Sequence, residues 1–340
     1  AVSAGGGGDE GYHWSTNPRG GTGGTITMLV EKQDPATPGA YLTRHTIVLT
    51  GGGGGAGGYA SNSTTGYENY SSGQTSRGWG GQFIFHDHDA ASPVTTTVAS
   101  STPTNGWQVG VTSTSGFPAQ GTVHFSSGQM AGKYWSYHSK SGNVLTGYEN
   151  KWAGYDTPNF GTVTLVYSAS NQNGNAWSDL PSTYGTVIFE SKDGGDMGIY
   201  VAGGTWTDHR GGYGGSATAG NTGTRTTSVF PTEPDTGGGD TGSNESSTIN
   251  QAKIPAAGSK GVGGGGGGGQ SNAGSSTGYA GGGGSGAYID LEYIMIANTD
   301  RIRVTTFGNG GAGVVRQGGT GTNNDGIAGT DGIIRLIGAD

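Results

Sequence analysis

The chain contains no cysteine, so it has neither a disulfide framework nor a thiolate-ligated zinc site, and its order must come from backbone pairing, packing or assembly. Charge is scarce as well. Charged residues make up 12% of the 340 positions, the formal net charge is -8, and Lys and Arg are nowhere clustered. That argues against nucleic acid as a partner, because the phosphate contribution to affinity needs grouped cations. Basic amphipathic membrane helices are missing, and no membrane insertion is expected. Apolar residues at i, i+3, i+4 and i+7 never persist for three turns without a Gly, a Pro or a β-branched interruption, which removes helical packing and leaves an all-β reading.

What the chain does have is glycine, at 76 positions, beside an apolar fraction of only 30%. Each Gly costs extra backbone entropy on folding, so packed layers cannot occupy the whole length and burial must be local and thin. Low apolar content also accompanies disorder, but disordered chains are charge-rich and aromatic-poor, whereas aromatics here reach 9%. An ordered, elongated protein is expected. Its N-terminus, Ala1 to Ala4 followed by Gly5 to Gly8, lacks a basic segment and an apolar segment and does not read as a signal peptide. Removal of an initiator Met before a small residue is preferred over a mature secreted end.

The two ends of the sequence repeat each other. In the first copy, Gly20 to Gly24 lead into Thr25 to Val30, a Pro-containing turn at Gln33 to Gly39, Arg44 to Thr50 and the run Gly51 to Gly58. In the second, Gly281 to Gly286 lead into Ala287 to Ile296, a turn at Ala297 to Asp300, Arg301 to Phe307 and Gly308 to Gly313. Each unit reads as a hairpin between glycine runs, and each closes with a single strand, Gly81 to Phe85 and Gly332 to Ile337. Within the second hairpin Ile302, Val304 and Thr306 alternate with Arg301, Arg303 and Thr305, which predicts one face on a core and one in water. Runs such as Gly263 to Gly269 carry no side chain to pack; they read either as flexible linkers or as extended polyglycine II helices that pack laterally.

Between the copies lies a different β module. Trp107 to Val111 precedes Ser113 to Pro118 and Gly121 to Phe125, with further strands predicted at Lys133 to Tyr137, Val144 to Tyr148 and Gly161 to Tyr167. Thr186 to Glu190 and Gly198 to Val201 read as a hairpin around Asp193-Gly194-Gly195, and the acidic, Pro-punctuated stretch Thr232 to Asn250 reads as a linker. The resulting division is 1-92, first glycine-rich β module; 93-168, central β module; 169-231, hairpin and glycine-rich extension; 232-257, linker; and 258-340, second glycine-rich β module. The fold class is all-β, several small sandwich-like or hairpin modules joined by glycine-rich segments.

Val111-Thr112-Ser113-Thr114-Ser115-Gly116-Phe117-Pro118-Ala119-Gln120-Gly121-Thr122-Val123, followed by the stretch Tyr137 to Gly147, resembles a small β module of tailed-bacteriophage virion proteins, built as a strand, Thr-Ser-Gly-Phe-Pro, Gly-Thr-Val and then a Tyr before a Thr/Gly-rich hairpin. The likeness covers about fifty residues and departs at Tyr148 to Trp152. The C-terminal unit, with its terminal Gly329-Thr330-Asp331-Gly332-Ile333-Ile334-Arg335, resembles the glycine-rich domains of phage tail fibres and their adhesins. The resemblance implies a virion protein made in the host cytoplasm, a tail fibre or appendage subunit for host attachment, self-associating as a homotrimer beside other virion proteins and reaching a surface glycan or an outer-membrane protein. The alternatives are a capsid decoration or head-fibre protein, and a secreted extracellular filament or matrix subunit.

Chemistry-bearing motifs are few. His86-Asp87-His88-Asp89 is the most suggestive, because a strand would place His86 and His88 on one face where they could ligate a metal. The resemblance to phage fibres implies an axial metal ion shared by three chains; the plainer reading, a polar loop capping the strand Phe83 to Phe85, is preferred, and otherwise no cofactor is expected. Gly274 to Gly278 matches the nucleophile-elbow pattern without the strand and helix that the elbow requires. Asp193, Asp196 and Asp208 sit among turn residues and are not placed as a catalytic pair. Trp79, Trp206, Tyr213 and Tyr279, with Tyr59, lie among glycines, where a flat ring can stack on a sugar of a receptor or pack against a neighbouring copy, the second being preferred. No enzyme is expected.

Overall fold

The computed structural model describes residues 2–3, 23–51, 81–99, 108–128, 130–147, 161–170, 175–176, 185–190, 200–201, 205–206, 268–270, 277–279, 287–295, 299–310 and 331–334. These form strands and turns, with no helix among the described residues. The strands are β1 (Val2–Ser3), β2 (Ile26–Gln33), β3 (Tyr41–Leu49), β4 (Gln82–Asp87), β5 (Thr95–Thr97), β6 (Gln108–Gly110), β7 (Gly121–Phe125), β8 (Tyr134–Ser141), β9 (Val144–Gly147) and β10 (Thr162–Ser170). They continue as β11 (Asn175–Ala176), β12 (Gly185–Glu190), β13 (Tyr200–Val201), β14 (Thr205–Trp206), β15 (Gly268–Gln270), β16 (Thr277–Tyr279), β17 (Tyr288–Tyr293), β18 (Arg301–Thr306) and β19 (Ile333–Ile334).

The expected hairpin of the first glycine-rich unit is present: β2 and β3 pair antiparallel from Ile26↔Leu49 to Gln33↔Tyr41, and β4 joins the far side of β3 with Leu49↔Phe83 and Ile47↔Phe85. Period-two alternation sends Ile26, Met28 and Val30 of β2 to one face, together with Ile47 and Leu49 of β3 and Phe83 and Phe85 of β4. A second sheet, β12-β17-β1-β19, supplies Ala287 and Ile289, with Leu291, Tyr293 and Ile334 packed alongside, so this core lies between two sheets.

The second unit does not form its expected hairpin. β17 pairs with β12 on one side and β1 on the other, while β18 pairs with β2, with Ile302↔Val30 and Val304↔Met28. β17 and β18 therefore belong to different sheets, and strands of both glycine-rich units build the same sandwich. The physical reason is burial: two strands alone cover little apolar surface, whereas splitting them encloses Ala287 and Ile289 over the β2–β4 row. The hairpin expected around 193–195 is likewise replaced, since β12 pairs with β17 and β13 with β14. The core face expected for Ile302 and Val304 is also corrected. All six residues of β18 are exposed, because β18 is the terminal strand of its sheet.

Close backbone approach explains part of the glycine content. The Gly24 amide donates to the Asn309 carbonyl at 2.6 Å, and a Cβ on Gly24 would lie 2.5 Å from the Cα of Gly308. Runs 52–58 and 258–267 and the linker 232–257 lie outside the described residues, and Gly268 and Gly269 belong to β15, paired antiparallel with β16.

The central module continues the same antiparallel path, β18-β2-β3-β4-β10-β7-β8-β9-β6, with β5 and β11 also on β10. The strands expected at 133–137, 144–148 and 161–167 are β8, β9 and β10. Strand β10 is shared: Val163 to Val166 pair with β7, and Tyr167 to Ser170 pair with β4. The module's sheet curls until its two ends touch at the Val98↔Val111 bridge, where the Ala99 amide donates to the Gly110 carbonyl at 2.8 Å and the Thr112 amide to the Thr97 carbonyl at 2.9 Å. Enclosed are Val109, Val111, Phe117, Val123, Phe125, Met130, Trp135, Tyr137, Leu145 and Val163.

Candidate functional site

Alternation along β4 sends Phe83 and Phe85 into the sandwich and Ile84 and His86 to the opposite face. There the central module folds back over the sheet. Val48, Ile84 and Val166 cluster with Tyr134 of β8, and the junction is pinned by a closed ring of hydrogen bonds. The Gln82 side-chain Nε2 donates to the Thr122 hydroxyl at 2.7 Å, Thr122 lies 3.0 Å from the Ser136 hydroxyl, and Ser136 donates to the Gln82 side-chain Oε1 at 3.0 Å.

Next along this face stand three histidines. His86 is 7% exposed; its ring centroid lies 3.9 Å from that of His88, which follows the end of β4, and 4.6 Å from that of His124 on β7. His86 Nδ1 is 3.1 Å from the Tyr134 hydroxyl, and His88 Nε2 is 2.9 Å from the Thr46 hydroxyl. Register explains the grouping, because His86 is opposite Thr46 and His124 is opposite Tyr134. Burial is the main cause that depresses the pKa of His86 to about 3, reinforced by the neighbouring His88 and His124. His88 and His124 are lowered by burial too, with Asp87 and Asp89 opposing the shift at His88. Burial pushes the Tyr134 hydroxyl up to about 12. At neutral pH the site is therefore a pile of uncharged imidazoles capped by a neutral phenol.

Such a pile packs and exchanges hydrogen bonds. The ring planes are tilted by 33° between His86 and His88 and by 51° between His86 and His124. Among the described residues no group of three His, Asp or Glu side chains is arranged to hold a metal ion. His86 and His88 do share a face, as the strand pattern requires. His86 is neither a loop residue nor offered outward: it ends the buried row of β4, and only His88 sits in the turn.

A fourth histidine, His45, occupies the sandwich side of the same strands. It is fully buried between Phe85 and Tyr293, with Nδ1 on the Tyr293 hydroxyl and Nε2 3.4 Å from Asp87 Oδ1. Burial lowers its pKa to about 4 against the pull of Asp87. Nearby, Asp89 holds Lys32 at 2.7 Å and Arg44 at 3.1 Å, and Arg44 reaches Asp300 at 3.3 Å. Sequence reasoning singled out neither His45 nor His124 and Tyr134. Strand alternation carried the signal for His45, which is two residues before Ile47; the meeting of His124 with His86 depends on how the module folds over.

Trp79 and Tyr213 lie outside the described residues, as do Asp193, Asp196, Asp208 and 274–276. Trp206 is in β14 opposite Tyr200, and Tyr279 is in β16 opposite Gly268, so the two aromatics belong to separate two-stranded ribbons. The Thr-Ser-Gly-Phe-Pro segment is a structural corner. Gly116 takes a φ of 79°, Phe117 is 3% exposed in the module core, the Tyr137 hydroxyl donates to the Pro118 carbonyl at 3.1 Å, and Lys140 donates to the Phe117 carbonyl. No known protein family, curated protein or solved structure matches this chain.

Proposed function

We propose that this chain is a structural protein of a bacteriophage particle, a tail-fibre or appendage subunit that takes part in host attachment and performs no catalysis. The observation that carries the reading is the role of the segment that resembles a virion β module. Phe117, Tyr137 and Lys140 are spent on forming a rigid corner, as a scaffold requires, and the module is built into the sandwich through the shared strand β10. The neutral histidine pile supports the same reading, since it packs the junction of module and sandwich. Copies of the chain associate with one another and with other particle proteins, and an exposed surface of the assembly meets a glycan or an outer-membrane protein of the host.

Immunogold labelling of intact particles with antibody to the purified chain tests this. Label along or at the tip of the tail is expected. Label on the head would move the assignment to a capsid decoration or head-fibre protein, and absence of the chain from purified particles would overturn the virion reading.

A further inference from the structure

Strand β10 enters both halves of the large sheet, and its two faces have different neighbours. Val163 and Leu165 turn to the module core and Tyr167 to the sandwich core, whereas Val166 and Ser168, the latter opposite Ile84, turn the other way. In sheet order β4 and β8 are separated by β10 and β7. A flat sheet would hold them about 14 Å apart. Yet the Ser136 hydroxyl of β8 is 3.0 Å from Gln82 Oε1 of β4, and the Tyr134 hydroxyl of β8 is 3.1 Å from His86 Nδ1 of β4. The sheet is therefore bent at β10 into a closed valley, with two clasps across it: Gln82 with Thr122 and Ser136, and His86 with Tyr134 and His124.

Little else holds the valley shut. Its buried apolar patch is Val48, Ile84 and Val166, and on the same face the Ser168 hydroxyl is fully buried with no hydrogen-bond partner among the described residues, a cost that an open valley would not carry. The imidazole clasp is also intolerant of charge. A proton on His86 would create a buried cation against the rings of His88 and His124, and burial and both imidazoles disfavour it alike. Thr46 of β3, His124 of β7 and Tyr134 of β8 complete the surroundings of His86 and His88. Of the acids on the adjoining turn, Asp87 is placed beside His45, and Asp89 is held by Lys32 and Arg44.

We infer that the imidazole clasp is an acid-sensitive latch: protonation of His86 breaks its contacts with β7 and β8 and lets the valley open at β10 while the two cores stay packed. The order of events follows from what each step exposes. Opening uncovers the three apolar side chains of the valley, whereas unfolding the module uncovers the ten buried residues of its core. An open valley returns His86 to water and to the ordinary histidine range, which at pH 5 favours the open form about thirtyfold. The latch is a property of the chain itself and is independent of its place in a particle.

The absence of cysteine makes the test direct, because Ser168→Cys then puts the one thiol of the chain on the valley floor. In the full chain its labelling by a pyridyl disulfide, which reacts with thiols in acid, should rise about twentyfold between pH 7 and pH 5 relative to Ser141→Cys, an exposed position. Val123→Cys, buried in the module core, should stay protected throughout. His86→Gln, which keeps a hydrogen-bonding side chain but does not titrate, should cut the rise at Ser168→Cys at least about tenfold, and His86→Phe serves if that variant does not fold. No rise at Ser168→Cys, an equal rise at Val123→Cys, or a rise that survives substitution of His86 overturns the inference.

Discussion

Gly24 and Gly308 come from opposite ends of the chain and lie backbone against backbone: a Cβ on Gly24 would be 2.5 Å from the Cα of Gly308 and 2.7 Å from the amide nitrogen of Asn309. The contact locks the start of β2 to the end of β18, and the Gly332 amide extends it by donating to the Gly308 carbonyl at 3.1 Å.

Gly24→Ala or Gly308→Ala should therefore destabilise the sandwich by about 1–3 kcal/mol, since neither backbone has a flexible side chain that can move aside. Gly39→Ala provides the contrast. It has open space around it, a positive φ of 84° and a turn location, and should cost no more than about 1 kcal/mol. Denaturant unfolding of the three variants measures the difference; equal losses would show that conformation, not close approach, selects glycine at 24 and 308.

Acid should weaken the fold through its histidines. His86 and His45 have folded pKa values of about 3 and about 4, both below the ordinary 6.5. The unfolded chain then binds protons more readily than the folded one once pH drops below 6.5. Stability is full above that value and declines as pH falls toward the folded pKa, by roughly 5 kcal/mol for His86 alone near pH 3. Urea unfolding between pH 7 and pH 4 should show this slope, and His86→Phe should make it shallower, leaving the part that His45 contributes.

The hydrogen-bond ring of Gln82, Thr122 and Ser136 should behave as one unit. Thr122 is fully buried, so Thr122→Val keeps the shape while removing the acceptor for the Gln82 amide, at a cost of about 1–3 kcal/mol. A double-mutant cycle with Ser136→Ala should give clearly less than the sum of the single losses. Additive losses would mean that the ring does not act cooperatively.

Glu31 is buried between Arg301 and Arg303, and the hydrogen bond from Arg303 is the largest cause that holds its carboxyl below the usual range. Glu31→Gln should cost about 1 kcal/mol, since both arginines are about half exposed to solvent.

Much of the strand content was readable because it follows from side-chain alternation. β2, β3 and β4 carry their apolar residues two apart, and Gly, Pro or Asp marks their turns. Pairing partners were less readable. Ile289 and Ile302 look like two arms of one hairpin, joined by a short turn with a Gly run on each side, and nothing local forbids that hairpin; the structure divides them between two sheets because doing so buries Ala287 and Ile289 over β2 to β4. The candidate site was half readable. His86 and His88 stood out by spacing, but His124 and Tyr134 reach them only through the module's return over the sheet.

By itself, then, the sequence determined the short strands, with no helix among the described residues: its alternation and glycine punctuation act over a few residues and set the local backbone. Tertiary structure alone decided which strands are neighbours, that both glycine-rich units share one sandwich, and that His45 and His86 end up buried and neutral while His88 and His124 stack beside His86. Those outcomes depend on long-range burial, where the gain from enclosing apolar rows outweighs local pairing and no short window of residues records the choice.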